Sequence, residues 1–369
     1  MRALYGVDTL INAGTTGKGR TIAIIVSYGS PTIVQDLHAF DAAFDLPDPV
    51  LTVAAPLGEA QPTTPEARGW LVETSLDVEW AHAIAPGARI LLLTSPVDET
   101  EGTQGMPQFL KLLRYAQSHG ADVISQSWGV TEQTLMDRKG RAIVKQFDQF
   151  YAGATRKGIS LVTGSGDGGT TGLDRSLKRI YPYRVAQFPA SDPHVLAVGG
   201  TTVSTQADGS RFEAAWVNSG GGVSKFFAEP VYQRSLPARD QRVLKTRRGY
   251  PDVAYNGSNL SPVPVMFNGQ WGGVSGTSAG APQWAGILAL ADDAAGKRLG
   301  DIHAALYAIG HSSRYHADFH DITLGSITDP PALAGTVTPF KATSGWDLTT
   351  GFGTPRAANL VTDLVKRAR

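Results

Sequence analysis

Residues 272–284, with the sequence GGVSGTSAGAPQW, place small side chains around one hydroxyl, that of Ser278, and an apolar run follows at residues 284–290. The pattern predicts a tight turn that delivers Ser278 to the first turn of a buried helix, where Pro282 is tolerated because the first N–H groups of a helix have no acceptor to lose. There the hydroxyl faces the positive end of the helix dipole, and the glycines let a substrate backbone approach. Ser278 is therefore a candidate nucleophile. An N-cap role remains the alternative, since serine is a preferred cap.

The composition indicates an ordered, loop-rich globular protein. The chain has 369 residues, of which 42% are hydrophobic and 18% charged, with 42 Gly and 22 Pro. Lys+Arg and Asp+Glu both number 33, which removes the electrostatic case for nucleic acid or an anionic membrane as a general partner. Cysteine is absent, which excludes disulfides and a thiolate nucleophile. No apolar run is long enough for a membrane span, and the first residues lack the pattern of a signal peptide.

Short apolar runs alternate with helical patterns over the first two hundred residues. The runs lie at residues 21–26, 90–93, 122–125, 159–162 and 195–198. The helical patterns lie at residues 33–44, 65–85, 107–119 and 142–157. This alternation predicts an α/β fold with a mostly parallel sheet and helices on both faces. Ligands of such sheets bind beyond the carboxyl ends of the strands, so candidate site residues are expected there.

The second helical pattern carries two acids on one face. Glu73 and Asp77 are four residues apart, on a stripe that also holds Trp70 and Ala81, and no Lys or Arg on it offsets their charge. Burying paired acids is costly unless something specific uses them, so the pair is a candidate site. A solvated helix edge is the alternative, and it suits Glu79, on the opposite side, far better.

Two strand ends carry further candidates. Residues 127–129, Ser-Trp-Gly, could pair with an extended peptide by strand addition, although a core tryptophan beside a turn is the alternative. Asp167 stands among glycines just beyond another strand, and residues 164–169 formally match the dinucleotide fingerprint G-x-G-x-x-G. The nucleotide interpretation is weak, because more loop follows instead of a helix and no ribose-binding acid lies about twenty residues on.

Near the C-terminus, Asp321 and Asp347 lie in two separate loops. Two carboxylates with accessible carbonyl oxygens make a hard oxygen site of the kind that calcium prefers, although single loop acids are more often turn residues. A short basic cluster at residues 245–248 is interpreted as a solvated loop.

Taken together, these motifs resemble the sedolisin family of serine-carboxyl peptidases over nearly the whole chain. The family's G-T-S-x-x-x-P motif matches residues 276–282, its E-x-x-x-D helix matches residues 73–77, and its oxyanion aspartate matches Asp167. The resemblance implies one subtilisin-like peptidase domain over residues 1–369, with Ser278, Glu73, Asp77 and Asp167 as catalytic residues. It also implies that Ser127, Trp128 and Gly129 bind the substrate.

The resemblance further implies one structural Ca²⁺ in a C-terminal region around residues 319–353. The residues matching the family's calcium site are Asp321, Ile322, Thr343, Gly345 and Asp347. Protein or peptide substrates, secretion, a monomer and an N-terminal prodomain in the precursor are likewise expected from the family. Either this chain is the processed form or its gene lacks the prodomain.

Two alternatives to an acid-active sedolisin are considered. Subtilisins share the G-T-S turn but need a histidine base at an H-G-T-H helix start, and none of the eight His has that setting. At pH ~4 an imidazole with pKa ~6.5 is only about 0.3% neutral, whereas a carboxyl with pKa ~4 is about half ionised, so Glu73 is the predicted base to Ser278 and Asp77 orients it. Asp167, when protonated, would donate to the oxyanion. A catalytically silent relative that binds peptides is the second alternative.

Overall fold

A computed structural model describes residues 1–60, 63–100, 102–208, 210–328 and 337–367. The strands are β1 (Thr21–Ser27), β2 (Val50–Ala54), β3 (Arg89–Ser95), β4 (Val123–Gln126), β5 (Val130–Thr131), β6 (Ser160–Gly164), β7 (Gln187–Phe188), β8 (Leu196–Thr205), β9 (Arg211–Ala215), β10 (Gly222–Ala228), β11 (Arg247–Tyr250), β12 (Val253–Asn256), β13 (Val263–Phe267), β14 (Gln270–Val274), β15 (Phe319–His320), β16 (Ser326–Ile327), β17 (Phe340–Lys341) and β18 (Thr354–Pro355). The α-helices are α1 (Arg2–Tyr5), α2 (Val7–Asn12), α3 (Ile33–Ala43), α4 (Pro65–Ile84), α5 (Met106–Ser118), α6 (Arg138–Arg156), α7 (Ala238–Leu244), α8 (Gly280–Ala295), α9 (His303–Gly310), α10 (Tyr315–Asp318) and α11 (Ala357–Arg367).

The central sheet is parallel along the order β12-β8-β6-β4-β1-β3-β2, and β9 joins it by pairing antiparallel with β8. Every residue of β1 is buried, as expected of a parallel strand covered on both faces. Alternate β1 side chains enter different cores: Ile22 and Ile24 pack in the core that contains Trp284 of α8, and Ile25 packs in the core that contains Phe147 of α6. The predicted α/β fold with a mostly parallel sheet is confirmed.

The predicted elements correspond closely to the observed ones. The apolar runs are β1, β3, β4, β6 and β8, and the helical patterns are α3, α4, α5 and α6. Helix α6 begins at Arg138, earlier than predicted, because Asp137 caps it by accepting a hydrogen bond from the Gly140 N–H at 2.7 Å. No helix in the described part of the chain is long and apolar enough to cross a membrane.

The interpretation of residues 245–248 as a solvated loop is wrong for one of them. Lys245 and Arg247 are exposed, but Arg248 is fully buried and pairs with Asp252 at 2.7 Å. Arg247 and Arg248 belong to β11, whose successive side chains point to opposite faces, so one arginine points outward and the next points into the protein.

The expectation that Glu79 lies on a solvated edge of α4 is wrong. It is 0% exposed, and its Oε2 accepts a hydrogen bond from the Met266 N–H at 3.0 Å. The hairpin β13–β14 covers this side of α4, and the neighbouring Trp80 donates its Nε1–H to the Pro264 carbonyl at 3.0 Å. Desolvation by burial raises the pKa of Glu79 to about 9, against the lowering effect of the Met266 N–H.

We expect Glu79→Gln to change the pH dependence of stability. An acid whose pKa is higher in the folded state than the ~4.3 of an exposed Glu binds its proton more tightly when folded, so stability falls as pH rises between those two values. Gln keeps the acceptor oxygen for Met266 and cannot ionise. The melting temperature should therefore rise at pH 8 by roughly 1 °C for each kcal/mol gained, since the unfolding entropy of a chain of 369 residues is about 0.8 kcal/mol/K, and it should change little at pH 4. The control is Glu59→Gln, at an exposed Glu. Equal shifts at both pH values would contradict a neutral Glu79.

Candidate active site

Ser278 lies in a 3-10 turn, Thr277–Ala279, between β14 and α8. Ala279 occupies the N-cap position of α8, and the helix has no side-chain cap hydrogen bond, so the N-cap interpretation of Ser278 is wrong. Gly276 approaches the turn with φ of 133°, and a Cβ there would lie 2.8 Å from Asp167 Oδ2. Only glycine fits this position, because its backbone conformation is unfavourable for other residues and its Cα lies against a carboxyl. The half-buried Ser278 is left with its hydroxyl at a cleft wall.

The predicted pair Glu73 and Asp77 faces this turn from α4. Asp77 is 0% exposed and accepts a hydrogen bond from Ser127 Oγ at 2.7 Å, which ties α4 to the residue that follows β4. Asp77 Oδ2 and Glu73 Oε1 have no hydrogen-bond partner among the described residues, and no cation there forms an ion pair with either acid. The two carboxyls therefore lie in a buried site with little to stabilise two negative charges.

Both members of the pair have raised pKa values. Desolvation is the main cause for each. The charge of Glu73 raises the pKa of Asp77 further, so the pKa of Asp77 lies well above its ordinary range. Hydrogen bonding by Ser278 and Ser127 lowers the pKa of Glu73, and the charge of Asp167 raises it. Two buried acids in contact titrate together, and the stable intermediate state of the pair holds one proton. The pair as a unit can therefore hold one negative charge close to Ser278.

Asp167 follows the end of β6 by three residues and lines the cleft together with Ser278. Its Oδ1 accepts hydrogen bonds from the Thr277 N–H at 2.8 Å and the Thr277 hydroxyl at 2.9 Å, which leaves Oδ2 as the oxygen able to carry a proton. The residue is exposed toward the open cleft, while protein surrounds its carboxyl on the other sides. Desolvation raises the pKa of Asp167, and the two Thr277 bonds oppose that rise. No helix follows β6 directly, as a dinucleotide-binding loop would require.

Thr277, the Thr of the G-T-S motif, is a site residue for which no role was predicted. Its hydroxyl donates to Asp167 and accepts a hydrogen bond from the Gly166 N–H at 3.0 Å. A Cβ on Gly164 would lie 2.8 Å from this hydroxyl, so the strand end has no room for a larger residue. Thr277 thus fixes the Asp167 carboxyl relative to the next residue, Ser278. The only signal in the sequence was its place directly before the serine.

The cleft is lined by the predicted peptide-binding segment and by two of the catalytic candidates, Ser278 and Asp167, whereas Glu73 and Asp77 are not part of its lining. Its lining residues are Glu99, Ser127, Trp128, Gly129, Gly164, Gly166, Asp167, Gln187, Phe188, Pro189, Ala190, Thr277 and Ser278. The Trp128 indole packs against Phe109 with ring centroids 4.7 Å apart and is 5% exposed, so its side chain is mainly part of the core. None of the eight histidines, all of them described, is part of this lining.

The C-terminal loops bring most of the predicted calcium ligands together. Asp321 accepts hydrogen bonds from the Gly345 N–H at 3.0 and 3.2 Å, and Asp347 Oδ2 accepts one from the Thr343 N–H at 2.7 Å. Desolvation raises the pKa of Asp347 to about 6. Ile322 is buried beside Asp321 in the chain. Of the predicted region 319–353, residues 329–336 lie outside the described residues.

These donors fit a hard cation in type, since two carboxylates and the carbonyls of one loop are oxygen ligands. Neither Asp321 nor Asp347 forms an ion pair with Lys, Arg or His in the described part of the chain. The same part contains no group of three or more His, Cys, Asp or Glu side chains suited to a metal, so backbone carbonyls would have to supply the remaining ligands.

Comparison with known proteins identifies the family of the chain. The family model described as the subtilase family matches residues 69–304. The chain is 29% identical over 363 residues to kumamolisin of Bacillus sp. (strain MN-32), covering 96% of this chain and 62% of kumamolisin. It is also 29% identical to tripeptidyl-peptidase sed4 of Aspergillus fumigatus, covering 87% of this chain and 58% of that protein. The chain thus spans about three fifths of these relatives.

The fold is similar to those of solved protease structures. The structure of Pseudomonas sedolisin, a serine-carboxyl proteinase, superposes with a TM-score of 0.80 at 26% identity, covering 96% of this chain and 94% of that one. A lanthipeptide protease at 15% identity and a TM-score of 0.59 shares the fold alone. With the subtilisin-like sheet, the serine turn and the paired acids on α4, the chain belongs to the subtilase family as a kumamolisin-like sedolisin.

Proposed function

We propose that this protein is a serine-carboxyl endopeptidase, active in mildly acidic solution, that cleaves peptide bonds through an acyl-enzyme on Ser278. The observation that carries the proposal is the position of Ser278. It lines the cleft together with Asp167, which has one oxygen outside its bonds to Thr277, and it hydrogen-bonds with Glu73 of a carboxyl pair that can hold one negative charge. A nucleophile, a base with an orienting group, and an oxyanion donor are the parts that acyl transfer needs.

Proton movement follows from the charge states of these groups. Ser278 Oγ attacks the substrate carbonyl carbon while its proton passes to the ionised Glu73, and Asp77 orients Glu73. The developing oxyanion accepts a hydrogen bond from protonated Asp167. Glu73 then gives its proton to the leaving amine, which produces the acyl-enzyme. A water molecule attacks the ester, Glu73 takes the proton of the water, and the proton returns to Ser278 as the acid product leaves.

The roles proposed for the Glu73–Asp77 pair and for Asp167 set a lower and an upper limit to the pH range of activity. The base works only above the pH at which the Glu73–Asp77 pair loses its first proton, and Asp167 donates only while it keeps its own. Desolvation raises the pKa values that set both limits. We therefore place the optimum in the mildly acidic range, above that of an enzyme whose carboxyls have ordinary pKa values of about 4.

The proposal is tested by incubating the protein with a denatured protein and with peptides blocked at the N-terminus, across pH 3–8. We expect internal cleavage of the blocked peptides, and we expect Ser278→Ala and Glu73→Gln to lower kcat by roughly 10³-fold or more with little change in melting temperature. If wild type and Ser278→Ala are equally inert, the protein is a silent peptide-binding relative. Release of tripeptides from unblocked ends alone would instead indicate a tripeptidyl-peptidase.

Asp167→Asn separates the oxyanion role from a structural one. An amide donates a hydrogen bond at any pH, so we expect the variant to lose less of its activity than wild type does as pH rises beyond the optimum. The control is Asp292→Asn, which neutralises a buried acid of α8 whose pKa is raised to about 7 by desolvation. The pH profile of kcat/KM is the measurement. An unchanged alkaline limb in Asp167→Asn would exclude this role.

We also propose that Asp321 and Asp347, with carbonyl oxygens of Ile322, Thr343 and Gly345, hold one structural Ca²⁺. A ligand bound only by the folded state raises stability by mass action, so a chelator should lower the melting temperature and added calcium should restore it. Asp321→Asn should abolish that calcium-dependent shift. Metal content is measured before and after chelation. If calcium is removed and the melting temperature stays unchanged, these acids are ordinary loop residues.

A further inference from the structure

A basic pocket lies next to a segment that lines the cleft, since residues 184 and 185 line the pocket and residues 187–190 line the cleft. Four exposed cations line it, namely Arg184, Lys225, Lys245 and Arg247, and no acid is part of its lining. Its volume is about 360 Å³, within the range of about 300–1,000 Å³ typical of small-ligand pockets. In a chain with equal numbers of acidic and basic residues, a wall with four cations and no carboxylate is a local excess of positive charge.

None of these four cations forms an ion pair with a carboxylate in the described part of the chain. Arg184 donates to the carbonyls of Thr338 at 2.9 Å and Pro339 at 3.2 Å, and its guanidinium lies 4.0 Å from the Phe340 ring centroid. Glu132 is buried near this wall, but its carboxylate already accepts hydrogen bonds from Ser224 and from the Lys225 N–H. The four positive charges of the pocket are therefore available to a ligand or to solvent.

Several of the cations are held in place, as a binding site requires. Arg184 is fixed by its two carbonyl bonds and by the Phe340 ring, a contact of the cation–π type. Lys225 lies 5.5 Å from the ring centroid of Tyr183, and Arg247 donates to the Lys225 carbonyl at 3.4 Å. Side chains positioned before binding lose less conformational entropy when a ligand arrives.

The floor of the pocket is apolar, which bears on whether its ligand is a small anion or an acidic polypeptide segment. Val185 and Leu244 are buried beneath the cations, and Val223 and Phe340 are partly buried there. A small anion such as phosphate is bound by converging donors and backbone N–H groups. Cations spread over an apolar floor instead match a polypeptide segment that alternates acidic and apolar side chains.

The pocket is close to the cleft along the chain. Arg184 and Val185 line the pocket, while Gln187 and Phe188 line the cleft. Two residues span at most about 7 Å, so a polypeptide held in the cleft reaches the pocket within a few residues. We propose that this pocket is an exosite for an acidic segment of the polypeptide substrate. The substrate role rests on the proposed peptidase function, whereas the binding itself does not.

Binding is measured on the full chain carrying Ser278→Ala, so that it does not depend on activity. The probe is a fluorescein-labelled peptide of alternating Glu and Leu, and its matched control has Gln in place of each Glu. At pH ~6 Glu side chains with an ordinary pKa of ~4.3 are ionised. We expect the Glu peptide to bind more tightly than the Gln peptide, and we expect the difference to shrink as NaCl rises, because salt screens exposed charges.

Substitutions that remove positive charge test whether the Glu peptide binds in this pocket. Lys225→Gln with Lys245→Gln should weaken binding of the Glu peptide about 3- to 10-fold, the size expected from two exposed ion pairs, and should leave binding of the Gln peptide unchanged. The matched control is Lys139→Gln with Lys145→Gln, which removes the same charge from exposed positions of α6. Equal weakening by both pairs would mean a general charge effect and would overturn the exosite.

Two further results would also overturn the proposal. One is equal affinity for the Glu and Gln peptides. The other is displacement of the Glu peptide by inorganic phosphate as effectively as by unlabelled Glu peptide, at ionic strength matched with NaCl, which would make the pocket a small-anion site. In the active protein, an acidic extension on a cleavable peptide should lower KM and leave kcat unchanged. Loss of that KM effect in the Lys225/Lys245 variant, with unchanged kcat, supports the exosite.

Discussion

Two carboxyls buried side by side, with no cation paired to either among the described residues, are the constraint on which this structure depends. Glu73 and Asp77 lie on one face of α4, where protein has replaced the water that would stabilise their charges. The serine hydroxyls at the ends of two other elements supply what stabilisation there is: Ser127 donates to Asp77, and Ser278 lies against Glu73. Helix α4, the end of β4 and the turn before α8 must therefore keep fixed relative positions, since moving any of them would leave a buried carboxylate with no donor.

Helix α4 also anchors the segment that leads to Ser278. Trp80 and Glu79 bind backbone groups of β13, and Asp36 of α3 accepts hydrogen bonds at 2.9 Å from two N–H groups of the hairpin turn, those of Asn268 and Gly269. The hairpin continues through β14 directly into the Ser278 turn. One helix thus carries Glu73 and holds the hairpin that leads to Ser278. The packing of α4 against this hairpin therefore helps to fix Glu73 relative to Ser278.

The sequence predicts well what depends on neighbouring residues and poorly what depends on distant ones. Apolar runs predicted the strands of the sheet, because a strand covered on both faces must be apolar throughout. The i, i+4 spacing correctly put Glu73 and Asp77 on one helix face. Glu79 was misassigned because its partner, Met266, lies 187 residues further along the chain. Thr277 acquires its role only where the end of β6 meets the serine turn, which no local pattern reveals.

In the proposed mechanism, desolvation has to serve two opposite needs. It raises the pKa values of Glu73, Asp77 and Asp167 alike, yet the proposal requires an ionised Glu73 and a protonated Asp167. The contacts of each group separate the two needs. The charge of Glu73 raises the pKa of Asp77 further, whereas hydrogen bonds from Ser278 and Ser127 lower the pKa of Glu73. Asp167 uses one oxygen to accept both Thr277 bonds and keeps the other for a proton. Desolvation alone would favour the protonated form of all three acids, and in the proposed mechanism the hydroxyl donors beside Glu73 favour its ionised form.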